Sequence, residues 1–135
     1  MSWVSNVLLS VHPLDESLLP GLSHWLEHEA PRQVGGGGGR GVGSIGNLAS
    51  PAHQWGGWKA PECRLWGGAL NYCDLDALRR RVGRMPWRWP ECVQLLIMDQ
   101  EEMTFGLHMF RGGTLAAVPV PEGPPAAGAP ADRPA

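Results

Sequence analysis

Hydrophobic positions along the chain recur at two different periods, and the switches between them mark out the elements. Trp3, Val7, Leu9 and Val11 share one face at period two, with Ser5 the only polar interruption, which predicts a strand over residues 3–11. His12-Pro13 ends it. From Asp15 onward Leu18, Leu22, Trp25, Leu26 and Glu29 or Ala30 return every three or four residues, the apolar stripe of an amphipathic helix. Pro20-Gly21 weakens its first turn and moves the regular helix to begin near Pro20, where proline is tolerated, and Pro31 closes it.

A glycine run at 35–39 follows, and then residues 40–49, whose large apolar groups Val42, Ile45 and Leu48 suffice only for a weak edge strand. Residues 63–72 alternate more clearly, with Gly67-Gly68 permitting a bulge or a close backbone approach. Asp74 is a natural N-cap for a helix over 75–83 that buries Leu75, Leu78 and Val82 and turns its arginines outward. Beyond the stiff connector 85–90, residues 92–98 are almost continuously apolar, as in a central strand. Met103, Phe105, Leu107 and Met109 alternate as a final strand, joined to it by a hairpin loop at 99–102.

The resulting order contains β-α-β-β-α-β. The expected fold is therefore α+β: a two-layer ferredoxin-like sandwich with an extra C-terminal antiparallel strand and two helices on one sheet face. If residues 40–49 are loop, the alternative is another two-layer α+β sheet. Residues 1–113 are expected to form one domain with a flexible Gly-rich loop at 35–46. Residues 114–135, rich in proline and alanine, are expected to form a disordered tail.

Composition narrows the setting more than the chemistry. Ten arginines against the single Lys59, with much Gly, Ala and Pro, follow GC-rich codon usage and suggest a high-GC bacterium or a phage. The N-terminus lacks the pattern of a signal peptide and no apolar run is long enough to span a membrane, so a cytoplasmic protein without a membrane partner is expected. Cys63, Cys73 and Cys92 form an odd set without CxxC spacing and read as buried free thiols. The net charge of −2 exerts no general pull toward nucleic acid, yet Arg79, Arg80, Arg81, Arg84 and Arg88 precede a segment carrying Glu91, Asp99, Glu101 and Glu102, so a bipolar surface is expected.

Two motifs with catalytic associations lack the context that their chemistry needs. His24-Trp25-Leu26-Glu27-His28 fits H-x-x-E-H, in which histidines one turn apart bind zinc and the glutamate acts as base. With no further ligand or cleft evident, these three polar residues read as the wet side of the helix, and a metal site at His24 and His28, with zinc as the cofactor, is the alternative. Gly41-Val42-Gly43-Ser44-Ile45-Gly46 fits G-x-G-x-x-G, but no strand leads into it and no helix opens from it, so a dinucleotide site is not indicated. Glu101-Glu102 reads as a solvated pair at a hairpin tip. No enzyme class emerges.

The aromatic residues carry more information. Trp55, Trp58, Trp66, Trp87 and Trp89 crowd one third of the chain beside Arg79, Arg80, Arg84 and Arg88, and Trp with Arg dominates protein-interface hot spots. The expected function is a small non-catalytic interaction module, of the inhibitor, immunity or accessory kind, that binds another protein through these nine residues. The alternatives are a metal-binding protein or metal-dependent hydrolase using His24, Glu27 and His28, and single-stranded nucleic-acid binding by an Arg/Trp surface. Nucleic acid ranks below protein because the chain is acidic overall and its central strands lack stacking aromatics.

Overall fold

The computed structural model describes residues 3–48, 62–100 and 103–119. They form an α+β structure in which one six-stranded antiparallel sheet carries two α-helices. The strands are β1 (Val4–Val11), β2 (Gly46–Asn47), β3 (Arg64–Asn71), β4 (Gln94–Asp99), β5 (Gly106–Arg111) and β6 (Thr114–Ala117), in the sheet order β2-β3-β1-β4-β5-β6. The helices are α1 (Leu19–His28), entered through a 3-10 segment at Pro13–Leu18, and α2 (Leu75–Arg84).

Strand β1 lies at the centre because it is long and apolar on its inner face. Ser5, Val7, Leu9 and Val11 are all buried, and β1 pairs with β3 on one side and β4 on the other. Val7, Leu9 and Val11, with Leu70, Leu95 and Ile97 of the neighbouring strands, meet Leu19, Leu22 and Leu26 of α1 and Leu78 and Val82 of α2 in one apolar cluster. Asp74 caps α2 as its position suggests, accepting from the Ala77 N–H at 3.1 Å. Ser5, the polar interruption on the inner face, donates to Asp99 Oδ1 at 3.1 Å, which satisfies its hydroxyl at no cost to burial.

Residues 35–46, expected as one loop, divide in two. Arg32 organises the first part, its Nε donating to the Gly41 carbonyl at 2.8 Å and its Nη1 to that of Gly36 at 3.3 Å. The second part is a packed strap between α1 and β3, with Val42 and Ile45 in the core. The crossing is close on both sides: a Cβ on Gly41 would lie 2.1 Å from the Glu27 carbonyl oxygen, and one on Gly68 of β3 would lie 2.3 Å from the Ser44 carbonyl oxygen of the strap. The G-x-G-x-x-G match is thus a close backbone crossing, and the edge strand expected from 40–49 shrinks to the two residues of β2.

At the other edge the sheet gains a strand. Thr114–Ala117, expected at the head of the tail, pairs with β5 as β6. Gly112 and Gly113, both at positive φ (58° and 83°), make the two-residue turn that reverses the chain. The sheet therefore carries two strands beyond β4 rather than the one expected.

Candidate functional site

A groove of about 580 Å³ lies between α1 and α2. Its α2 wall arises from helical periodicity, because Ala77, Arg80, Arg81 and Arg84 fall three or four residues apart on the side that faces α1. Ala77 is small enough to leave the groove open. The opposite wall is Leu18, Leu22 and Trp25 of the α1 side, and Met85 and Pro86 continue the apolar lining past the end of α2. Arg40 completes the rim from the strap, held by donation from its Nη1 to the Glu29 carbonyl at 3.2 Å.

Four guanidinium groups thus surround a partly apolar trough that holds one carboxylate, Glu29. Arg80, Arg81 and Arg84 make no ion pair among the described residues. Arg81 instead lies over the Trp25 ring, its guanidinium carbon 5.2 Å from the centroid, a cation–π contact that holds the arginine at the groove wall. Such clustering of unpaired cations raises the local positive potential in a chain that is acidic overall.

The site residues expected from sequence do not all meet at one place. Arg80 and Arg84 are in the groove. Arg79 turns away from it, donating from Nη1 to Asp76 at 2.8 Å and from Nε to His108 Nε2 at 3.1 Å. Trp66, Trp87 and Trp89 are each half-buried with their polar or aromatic surface already engaged. Trp66 Nε1 donates to Glu16 at 3.0 Å, Trp87 Nε1 donates to the Val82 carbonyl at 2.8 Å, and the Trp89 ring stacks on His12 with centroids 4.1 Å apart. Arg88 is exposed and its backbone N–H is bound by Asp15. Trp55, Trp58 and the Glu101-Glu102 pair lie outside the described residues.

His24 and His28 stand on the exposed side of α1 with ring centroids 4.6 Å apart, and Glu27 lies 3.8 Å from His28 Nε2. No group of three or more His, Cys, Asp or Glu side chains suited to a metal occurs among the described residues. The cysteines correct the expectation of three buried thiols: Cys73 is buried, whereas Cys63 and Cys92 are exposed. Burial, reinforced by Asp74 and partly opposed by Arg79, pushes the Cys73 thiol up to about 12, which leaves it protonated and inert as a nucleophile.

Sequence reasoning missed Trp25, Arg40 and Arg81 as site residues. Trp25 carried a signal, an aromatic at the edge of the α1 stripe, but its meeting with Arg81 depends on the two helices sharing one sheet face. Compared with protein-family models, with curated proteins and with solved structures, the chain matches none. No helix among the described residues is long and apolar enough to cross a membrane.

Proposed function

We propose that this protein is a non-catalytic interaction module that binds an acidic segment of a partner protein in the groove between α1 and α2. The observation that carries this reading is the set of arginines at 80, 81 and 84, unpaired among the described residues, along an apolar floor. Carboxylates of the partner would pair with the rim while its apolar side chains cover Leu22, Trp25 and Met85. Arg supplies forked donors suited to carboxylates, and pairing in a partly desolvated trough is stronger than on an open surface. A protein is favoured over single-stranded nucleic acid because Arg81 already occupies a face of Trp25, the one aromatic ring of the groove, where a base would have to stack.

In the same reading, β1 to β4 with α1 and α2 form a ferredoxin-like unit, supported by their order along the chain and by the run β2-β3-β1-β4 in the sheet. The β5–β6 hairpin extends that unit at the β4 edge.

The test is fluorescence anisotropy with two labelled probes, a peptide of mixed Glu and Leu and an oligothymidylate of similar length. The peptide is expected to bind more tightly, with an affinity that falls as salt rises. Replacement of Arg80 and Arg84 by Glu should weaken it by about tenfold or more, as loss of roughly 1.4 kcal/mol requires. Tighter binding of the oligothymidylate, or peptide binding indifferent to the double substitution, overturns the proposal.

A further inference from the structure

On the side of the sheet away from the helices, the strand register builds an uninterrupted apolar row. Leu8 pairs with Leu96 and Leu96 with Leu107, and the Val118 N–H donates to the Leu107 carbonyl at 2.8 Å just beyond β6. At the other end of the row is Gly67, paired with Leu8, where Leu48 closes over the strand: a Cβ there would meet Leu48 Cδ1 at 2.7 Å and Leu8 Cδ2 at 2.8 Å. The adjacent outward rows mix apolar and uncharged polar residues, Leu65-Ser10-Gln94-Met109 on one side and Ala69-Asn6-Met98 on the other. Leu48 and Val118 are 53% and 38% exposed, so two of the large exposed hydrophobic residues lie at the ends of this row.

The face is also nearly free of charge. Among the described residues, Arg111 at the end of β5 is the one charged side chain at an outward position of the six strands. An apolar row on an uncharged face is a surface suited to being covered.

We propose that this face is the interface between two copies of the chain, joined sheet to sheet about a two-fold axis. A two-fold interface sets the same patch against itself, which a charged patch opposes by self-repulsion and an uncharged one does not. A central Leu row flanked by uncharged Asn6, Ser10 and Gln94, with charge kept to the margin, matches the depletion of charge in interface cores. Its size also suffices: six strands about 4.8 Å apart, of two to eight residues and averaging about 20 Å, present roughly 500 Å² in projection, so a pair would bury about 1,000 Å², where specific interfaces begin. Residues 49–61 and 120–135 leave the described structure next to this face, after Leu48 and Pro119, so cover from within the same chain is the competing outcome.

Sedimentation velocity on the full chain separates the two. At roughly 100 µM, a concentration that populates an interface of this size, the protein is expected to run at twice 14.6 kDa. Leu107→Glu is expected to return it to 14.6 kDa with an unchanged far-UV spectrum. Should that variant unfold, Met98→Glu at the flank of the row makes the same test. Replacement of Arg80 and Arg84 by Glu leaves the dimer intact, because the groove lies on the opposite side of the sheet. A wild-type mass of 14.6 kDa, as self-coverage requires, overturns the proposal, as does a dimer that survives in a folded Leu107→Glu or Met98→Glu variant.

Discussion

Asp15 holds Trp89 by its backbone: Oδ2 accepts from the Trp89 N–H at 3.0 Å, while Oδ1 accepts from the adjacent Arg88 N–H at the same distance. The carboxylate is 1% exposed, and the two residues are 74 positions apart, so one side chain pins the connector after α2 onto the start of the first helical segment. The stacking of Trp89 on His12 depends on that placement.

Asp15→Ala leaves two part-buried N–H groups without their acceptors, and each charge-assisted bond lost costs on the order of 1.5–3 kcal/mol. The variant should therefore unfold in urea with a stability about 3 kcal/mol or more below wild type, by tryptophan fluorescence. Asp15→Asn, which keeps one carbonyl acceptor but adds an NH₂ group facing a donor, should recover only part of the loss. A wild-type midpoint for Asp15→Ala would show that the pin contributes little.

The strap between α1 and β3 makes a second demand. Gly41 combines a φ of +94° with the close approach of Glu27, so Gly41→Ala meets both backbone strain and a clash with a carbonyl that belongs to a helix. A loss of about 2–4 kcal/mol is expected. Gly46, in the same motif, has nothing within 4 Å of a Cβ, so Gly46→Ala should stay within about 1 kcal/mol of wild type. Equal melting temperatures for the two variants would mean that Gly41 is not sterically required.

These features explain which parts of the structure were legible in the sequence. The strands β1 and β3 and the helix α2 could be read because each buries one face, so its own periodicity encodes its environment. The β6 strand was masked by the Pro/Ala composition around it, although Gly112-Gly113 carried a hairpin signal. The strap was unreadable because its glycines answer to Glu27 and Ala69, residues brought near only by the fold. In the same way, Arg80 and Arg84 could be picked from a run of arginines, but Trp25 and Arg40 join them only when both helices lie on one sheet face. The contacts of Trp66, Trp87 and Trp89 could not be read because their partners, Glu16, Val82 and His12, include two far away in sequence.

His108 gives the structure a calculable response to acid. It sits on the inner face of β5 opposite Leu95, with Nε2 accepting from Arg79 and Nδ1 buried without a partner in hydrogen-bonding geometry. Burial first, and then the positive charge of Arg79, lower its pKa below the ordinary 6.5; an interaction with the Leu95 backbone offsets part of this. Between the lowered value and 6.5 the unfolded chain binds a proton that the folded chain does not, so stability rises with pH across that window and falls on acidification through it. Below the lowered value both states are protonated and the loss is complete. Protonation would also remove the acceptor at Nε2 and set an imidazolium against Arg79, which Asp76 compensates only through its bond to that arginine. Urea midpoints measured from about pH 7.5 down to about pH 5.5, above most carboxylate titration, should therefore decline more steeply in wild type than in His108→Gln. His12, His24, His28 and His53 remain in both proteins, so the difference in slope reports His108 itself. Arg79→Gln should narrow the window by removing the nearest positive charge, and identical slopes in all three proteins would show that His108 titrates alike in the folded and unfolded chains.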